Sequence, residues 1–247
     1  MALKLNLFLY ILSIAIFAEM AAGVDLFKPV DHVCGFPDNR NFTSGSEYEN
    51  NLNFILHDLS NKTPATGFGL AYAGGVENSN RAYGRAQCRA DVSTADCKTC
   101  ISEMVRWVRG KCPFYKSAFA WFQGCLLRYS DDDFFGKIDD PNSLAFFILE
   151  KENLSNIAPL EKVEGLLNQL AGEASASKEL FARGEVKLAG SKNLYGLVQC
   201  TLDLSPADCK TCVDGLVSIV PKIYGNGTQI YTSTCTLQYL LYAFFNA

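Results

Sequence analysis

The residues of this chain with the plainest chemistry are its cysteines: Cys34, Cys88, Cys97, Cys100, Cys112, Cys125, Cys200, Cys209, Cys212 and Cys235. Cys88, Cys97 and Cys100 form the spacing Cys-x8-Cys-x2-Cys, and Cys200, Cys209 and Cys212 repeat it around a second copy of the string ADCKTC. Each set has one more cysteine downstream, Cys125 or Cys235. Three chemistries fit such a quartet. Four thiolates can hold zinc tetrahedrally. Cys97 and Cys100 alone can make a thioredoxin-like redox pair. In an oxidising compartment the whole set makes structural disulfides, the default for an even count in a secreted chain. Secretion exposes thiols to oxidation before metal capture, and a redox pair does not ordinarily carry two further cysteines at fixed spacing. The disulfide reading is therefore taken, with no metal and no cofactor. Fifteen pairings stay open in the first half and three in the second. The second half lacks counterparts of Cys34 and Cys112, which suggests that these two are partners. Cys97 and Cys100 lie one turn apart on a helix, so each reaches another element more readily than its neighbour.

Two repeats must position these cysteines. AYGRAQCRADVSTADCKTCISEMVRWV in the first half aligns with LYGLVQCTLDLSPADCKTCVDGLVSIV in the second. Tyr83, Gly84, Gln87 and Cys88 recur as Tyr195, Gly196, Gln199 and Cys200, each 112 residues later. In each unit an amphipathic helix (46–59, 160–174) precedes two short strand-like runs, GFGLAYAGG and RAYGRAQCRADV or ELFARGEVKLAG and NLYGLVQCTLDL. A second helix starts at Ser93 or Ser205, N-caps with Asp96 or Asp208 at N3, and Pro206 sits where a first-turn proline is tolerated. Its inward face is expected to carry Ile101, Met104, Val105 and Val108, or Val213, Leu216, Val217 and Val220. The closing runs AFAWFQGCLLRYS and QIYTSTCTLQYLLYAFF complete an α+β unit with an antiparallel sheet. The final YLLYAFFNA, too short for a membrane span or lipid-anchor tail, reads as a buried strand.

The 247 residues carry a net charge of −4 and 49% hydrophobic residues, an ordinary globular balance. No basic stripe is present to bind phosphate backbones, so nucleic acid is not an expected partner. MALKLNLFLYILSIAIFAEMAAG has the layout of a secretory leader, with Lys4 ahead of an apolar run to Phe17 and small residues up to Gly23. That run is shorter than the roughly 18 apolar residues of a span. Four sequons, at Asn41, Asn61, Asn153 and Asn226, suit the same route as N-glycosylation acceptors. The expected organisation is leader 1–23, first domain 24–138, linker 139–142 within the acidic stretch SDDDFFGKIDDPNS, and second domain 143–247.

Cys-x8-Cys-x2-Cys, preceded by the Tyr-Gly and Gln-Cys pairs and followed by Cys125-Leu-Leu-Arg-Tyr or Cys235-Thr-Leu-Gln-Tyr, resembles the plant ginkbilobin-2-homologous domain. Two such domains behind a leader resemble the cysteine-rich repeat secretory proteins. The resemblance implies, per domain, a sheet of about five antiparallel strands packed on two helices. It also implies the pairing Cys34–Cys112, Cys88–Cys97, Cys100–Cys125, Cys200–Cys209 and Cys212–Cys235.

The family's mannose binding, linked to antifungal action, resembles a triad of Asn just after the first cysteine, Arg six before the last and Glu five after it. Those places hold Gly35, Phe119 and Ser130 here, and Gln229 and Leu240 in the second unit. None supplies the amide, cation and carboxylate that a hydroxyl-rich ligand needs. His32 and His57 are the only histidines; His57 reads as a solvated helix residue, and Asp131–Asp133 as a solvated hinge. No nucleophile with a base partner can be named, so an enzyme is not expected. Trp107, Trp121, Phe122 and Tyr129 read mainly as core. What the sequence suggests is a secreted apoplastic interaction module for defence or stress signalling. Its partner would be a protein ectodomain or a wall or microbial glycan. The alternative is an antifungal lectin with a different sugar site.

Overall fold

The computed structural model describes residues 25–75, 80–138 and 146–245. The expected leader at 1–23 and linker at 139–142 lie outside the described residues. Two five-stranded antiparallel sheets repeat one topology. In the first unit, strands β1 (Pro29–Cys34), β2 (Phe68–Ala73), β3 (Ala82–Cys88), β4 (Ala118–Phe122) and β5 (Cys125–Ser130) lie in the order β1-β4-β5-β3-β2. In the second, β6 (Phe146–Asn153), β7 (Phe181–Lys187), β8 (Asn193–Cys200), β9 (Asn226–Tyr231) and β10 (Cys235–Leu240) lie in the order β6-β9-β10-β8-β7. Helices α1 (Glu47–Thr66) and α2 (Thr94–Lys111) cover one face of the first sheet, and α3 (Leu160–Ala176) and α4 (Pro206–Val217) cover the same face of the second. A short α5 (Val220–Ile223) follows α4.

Local chemistry sets these elements. The Oγ of Ser93 accepts the amide of Asp96 at 3.1 Å and donates to that residue's carboxylate at 2.7 Å; Ser205 and Asp208 do the same at the same distances. This closes the first turn of both α2 and α4. Ile101, Met104 and Val108 are fully buried while Val105 is half-buried, and Val213, Leu216 and Val217 are buried on α4. The second face departs from expectation at Val220, which lies on α5. Pro221 cannot donate the amide that would continue α4, so the helix stops at Val217.

Alternation then sorts the strand residues. Gly84, Ala86 and Cys88 of β3 face the helices, and the corresponding Gly196, Val198 and Cys200 of β8 do likewise. Gly84 lets α1 pack close: a Cβ there would lie 2.9 Å from the Leu59 methyl and 3.0 Å from that of Ile55, so both side chains would have to shift. Gly196 sits under Leu170 and Leu166 in the same way, at 2.8 and 2.9 Å. Five disulfides staple helix to strand and strand to loop: Cys34–Cys112, Cys88–Cys97, Cys100–Cys125, Cys200–Cys209 and Cys212–Cys235, with no free cysteine.

Two expectations are corrected. The C-terminal run is not strand throughout. β10 ends at Leu240, Tyr242 is exposed, and Phe244 folds back against Leu197 and Leu240. In the Asp131–Asp133 segment Asp132 and Asp133 are exposed, as a solvated run should be, but Asp131 is not. The Asp131 side chain is 6% exposed and bonds Arg40 at 3.1 Å, and Phe134 is buried.

Candidate functional site: the face shared by the two units

The outward residues of the sheets are where the two units meet. On β3 these are Arg85 and Gln87, on β4 Phe119 and Trp121, on β5 Leu126 and Arg128. Opposite them stand Leu197 and Gln199 of β8, Gln229 and Tyr231 of β9, and Gln238 of β10. Polar strand residues buried at such a seam need partners from the other side. They have them. The Gln87 amide donates to the Cys200 carbonyl at 2.9 Å, and its oxygen accepts the Leu202 amide at 2.9 Å. Gln199 returns the same pair of bonds to the Cys88 carbonyl at 3.1 Å and from the Ala90 amide at 3.4 Å. Because Gln87, Cys88 and Ala90 are the repeat counterparts of Gln199, Cys200 and Leu202, the exchange is twofold symmetric. The Gln-Cys pair of each repeat is thus a clamp on the other repeat.

Around this symmetric centre the contacts diverge. Arg85, fully buried, bonds Asp203 at 2.8 and 3.1 Å and also the Ser233 carbonyl. Burial by itself raises the Asp203 carboxyl, but Arg85 and the Gly136 amide outweigh it and hold the group below its ordinary 3.8. Arg128 lies 4.0 Å over the Phe134 ring and 4.5 Å over Phe119, and its Nη1 donates to Ser233 Oγ at 3.1 Å. Phe119 stacks parallel to Trp121 at 6.0 Å, and the Trp121 indole donates to the Thr232 carbonyl at 2.8 Å. A cleft of about 230 Å³ opens beside the glutamine pair, with Thr66, Thr94 and Glu179 on its walls.

The positions that the family resemblance singled out for sugar are occupied by packing. Gly35 has φ +74°, and a Cβ there would lie 2.5 Å from Asn39 Oδ1 and 2.7 Å from Tyr115, so an asparagine does not fit without rebuilding the loop. Phe119 is 2% exposed, in the seam. Ser130 is buried, with its Oγ accepting the Asp132 amide at 3.1 Å. Gln229 accepts from the Tyr231 hydroxyl at 2.7 Å, and Leu240 is buried against Leu197 and Phe244.

The remaining candidates lie apart. His57 is exposed and lies within hydrogen-bond distance of Asn61; His32 stacks edge-on to Trp107 at 4.9 Å beside the Cys34–Cys112 bridge. Trp121, Phe122 and Tyr129 are buried and Trp107 is half-buried. Asn41, Asn61 and Asn153 are exposed, and Asn226 is half-buried at the start of β9. Sequence reasoning did not find Arg85, Asp203 or the clamp role of Gln87 and Gln199. The only signal was the recurrence of a glutamine before each first cysteine of the shared quartet.

A tandem of disulfide-stapled α+β units joined through their sheet faces is the class this architecture defines. The chain belongs to the salt stress response/antifungal family, whose model matches residues 33–132 and 151–242. It is 39% identical to an antimicrobial ginkbilobin-2-like protein of Castanea crenata, over 91% of this chain and 92% of that one. It is 37% identical to cysteine-rich repeat secretory protein 38 of Arabidopsis thaliana, over 82% and 81%. In three dimensions it is similar to the tandem DUF26 ectodomain of an Arabidopsis thaliana cysteine-rich receptor-like protein. The TM-score is 0.74 at 22% identity, over 88% of this chain and all of that one. No helix among the described residues is long and apolar enough to cross a membrane.

Proposed function

We propose that the protein is a secreted apoplastic module that acts in defence or stress signalling by binding the ectodomain of another protein, without catalysing a reaction. The observation that carries this reading is the state of the family's sugar positions. The places that would hold a sugar in this family are filled by Phe119, Ser130, Gln229 and Leu240, all buried, and by a glycine with no room for a side chain. What the molecule offers outward is the solvent side of its helices, its sheet edges and the exposed aromatics Phe54, Tyr72 and Phe114. Secretion is supported by the names of the curated relatives and by the leader-like first 23 residues.

A second reading, an antifungal lectin with another sugar site, is favoured by one feature. The cleft beside the glutamine pair carries the hydroxyls of Thr66 and Thr94 and the carboxylate of Glu179, groups suited to a polyol. A glycan array run beside an apoplastic pull-down with the glycosylated protein separates the two. The expected outcome is a recovered ectodomain and no mannan signal. Mannan binding abolished by substituting Ser130 would restore the family's sugar site. Binding of another glycan, lost in Glu179→Ala, would establish the cleft as a lectin site.

A further inference from the structure

Among the described residues four strands end the two sheets, and three of them carry features that block pairing with another chain. β1 has a bulge between Pro29 and Asp31. β6 has a register slip between Leu149 and Asn153, and β7 has Arg183, Glu185 and Lys187. β2 is different. Its sequence FGLAYA has no charge and no proline, and Tyr72 is 66% exposed. An uncharged, unbulged edge is a template for strand addition. The Cys88 amide bonds the Gly67 carbonyl at 2.8 Å, so odd-numbered residues of this strand turn their backbone groups to β3. Those of Leu70 and Tyr72 point out of the edge.

We propose that β2 pairs antiparallel with β2 of a second copy of this chain, across a twofold axis at Leu70, giving a continuous ten-stranded sheet. Helix α1 packs over both β2 and β3, so its axis lies about half a strand spacing inside the edge. With strands about 4.8 Å apart, the two α1 axes come to about 9–10 Å, the separation at which helices pack. The contacts a Cβ would make at Gly74 (Asn51) and Gly69 (Lys62) show that α1 runs antiparallel to β2, with Ser60 about level with Leu70. The axis therefore sets Lys62 of each copy level with Asp58 of the other. These two side chains already pair within one copy at 2.5 Å and are each 40% exposed, so the two helices present complementary charges. Phe54, 63% exposed on the solvent side of α1, moves toward the second helix. On the opposite face Phe68 of one strand comes opposite Tyr72 of the other, a cross-strand aromatic pair. One interface thus covers the two most exposed large apolar side chains described.

Asn61 lies in the same turn of α1 as Lys62 and is exposed, so a sugar there would stand in the interface. The test is sedimentation velocity on the secreted full chain after enzymatic removal of N-glycans, across micromolar concentrations. A reversible dimer is expected. Tyr72→Lys and Phe54→Glu, both surface changes, should each weaken it about tenfold or more with unchanged thermal unfolding. Leu70→Cys should link the dimer by a disulfide, because the axis puts the two Cα atoms about 5.5 Å apart; Ala73→Cys should not. A monomer at every concentration, a dimer that both surface variants leave intact, or equal cross-linking at Ala73 would each overturn the proposal.

Discussion

Gln87 and Gln199 each satisfy a backbone carbonyl and a backbone amide of the other unit. Gln87→Ala leaves the buried Cys200 carbonyl and the Leu202 amide unpaired, and unsatisfied groups of this kind cost about 1–3 kcal/mol each. A loss of about 2–4 kcal/mol is expected in urea unfolding, with a smaller loss for Gln199→Ala, whose bonds are longer. Asp203 makes a pH-dependent prediction. Its carboxyl is depressed by Arg85 when folded, so the contribution of the pair is present above the ordinary carboxylate value and is lost as pH falls through the depressed one. Asp203→Asn should therefore cost about 3–5 kcal/mol at neutral pH, and the gap from wild type should close in a pH series below about 4. Asp131 has the opposite sign: burial outweighs Arg40 and raises it, so acidification relieves rather than weakens that site. Little of this was legible in the chain. The partner of Gln87 lies 113 residues away, and Arg85 aligns with Leu197, so no repetition marked it.

Helices and cysteine staples were the most legible elements, because each rests on local signals. Ser93 and Ser205 cap where their spacing to Asp96 and Asp208 places them. The pair Cys34 and Cys112, missing together from the second unit, is bridged in the first. α1 runs on to Thr66, past the expected end, since Pro64 falls in the last turns and removes only the amide that would bond Ser60. β1 and β6 were not read as strands. Their register slips, between Pro29 and Asp31 and between Leu149 and Asn153, break the alternation that marks a strand. The Cys34–Cys112 bridge closes the longest loop, a separation of 78 residues. Replacing both cysteines by serine should lower stability by about 4 kcal/mol on the loop-closure argument. Calorimetry of the double variant against wild type measures this, and a lower midpoint of the whole transition is the expected pattern.

At the scale of the whole molecule each unit has its own core, yet the seam is too well packed for them to behave independently. Trp121, Phe119 and Tyr231 form one apolar cluster drawn from both, with the Arg85–Asp203 pair beside it. The disulfide-intact protein should therefore unfold in one transition, with tryptophan fluorescence and far-ultraviolet circular dichroism coinciding. Two separated transitions would show the halves to be uncoupled. The expected domain ranges, 24–138 and 143–247, propose cuts that would expose this seam, so each range expressed alone should be less soluble than the whole chain. The symmetry of the glutamine exchange has a further consequence, for descent rather than stability. Two copies of a one-unit chain would make the same exchange with each other, as a twofold dimer. In such a dimer every substitution on the face happens twice, and a buried arginine gained by one subunit is gained by both. Covalent fusion removes that constraint. Arg85 faces Asp203 in one half while Leu197 stands in its place in the other, an arrangement open to a gene that carries both copies and closed to one that carries a single copy.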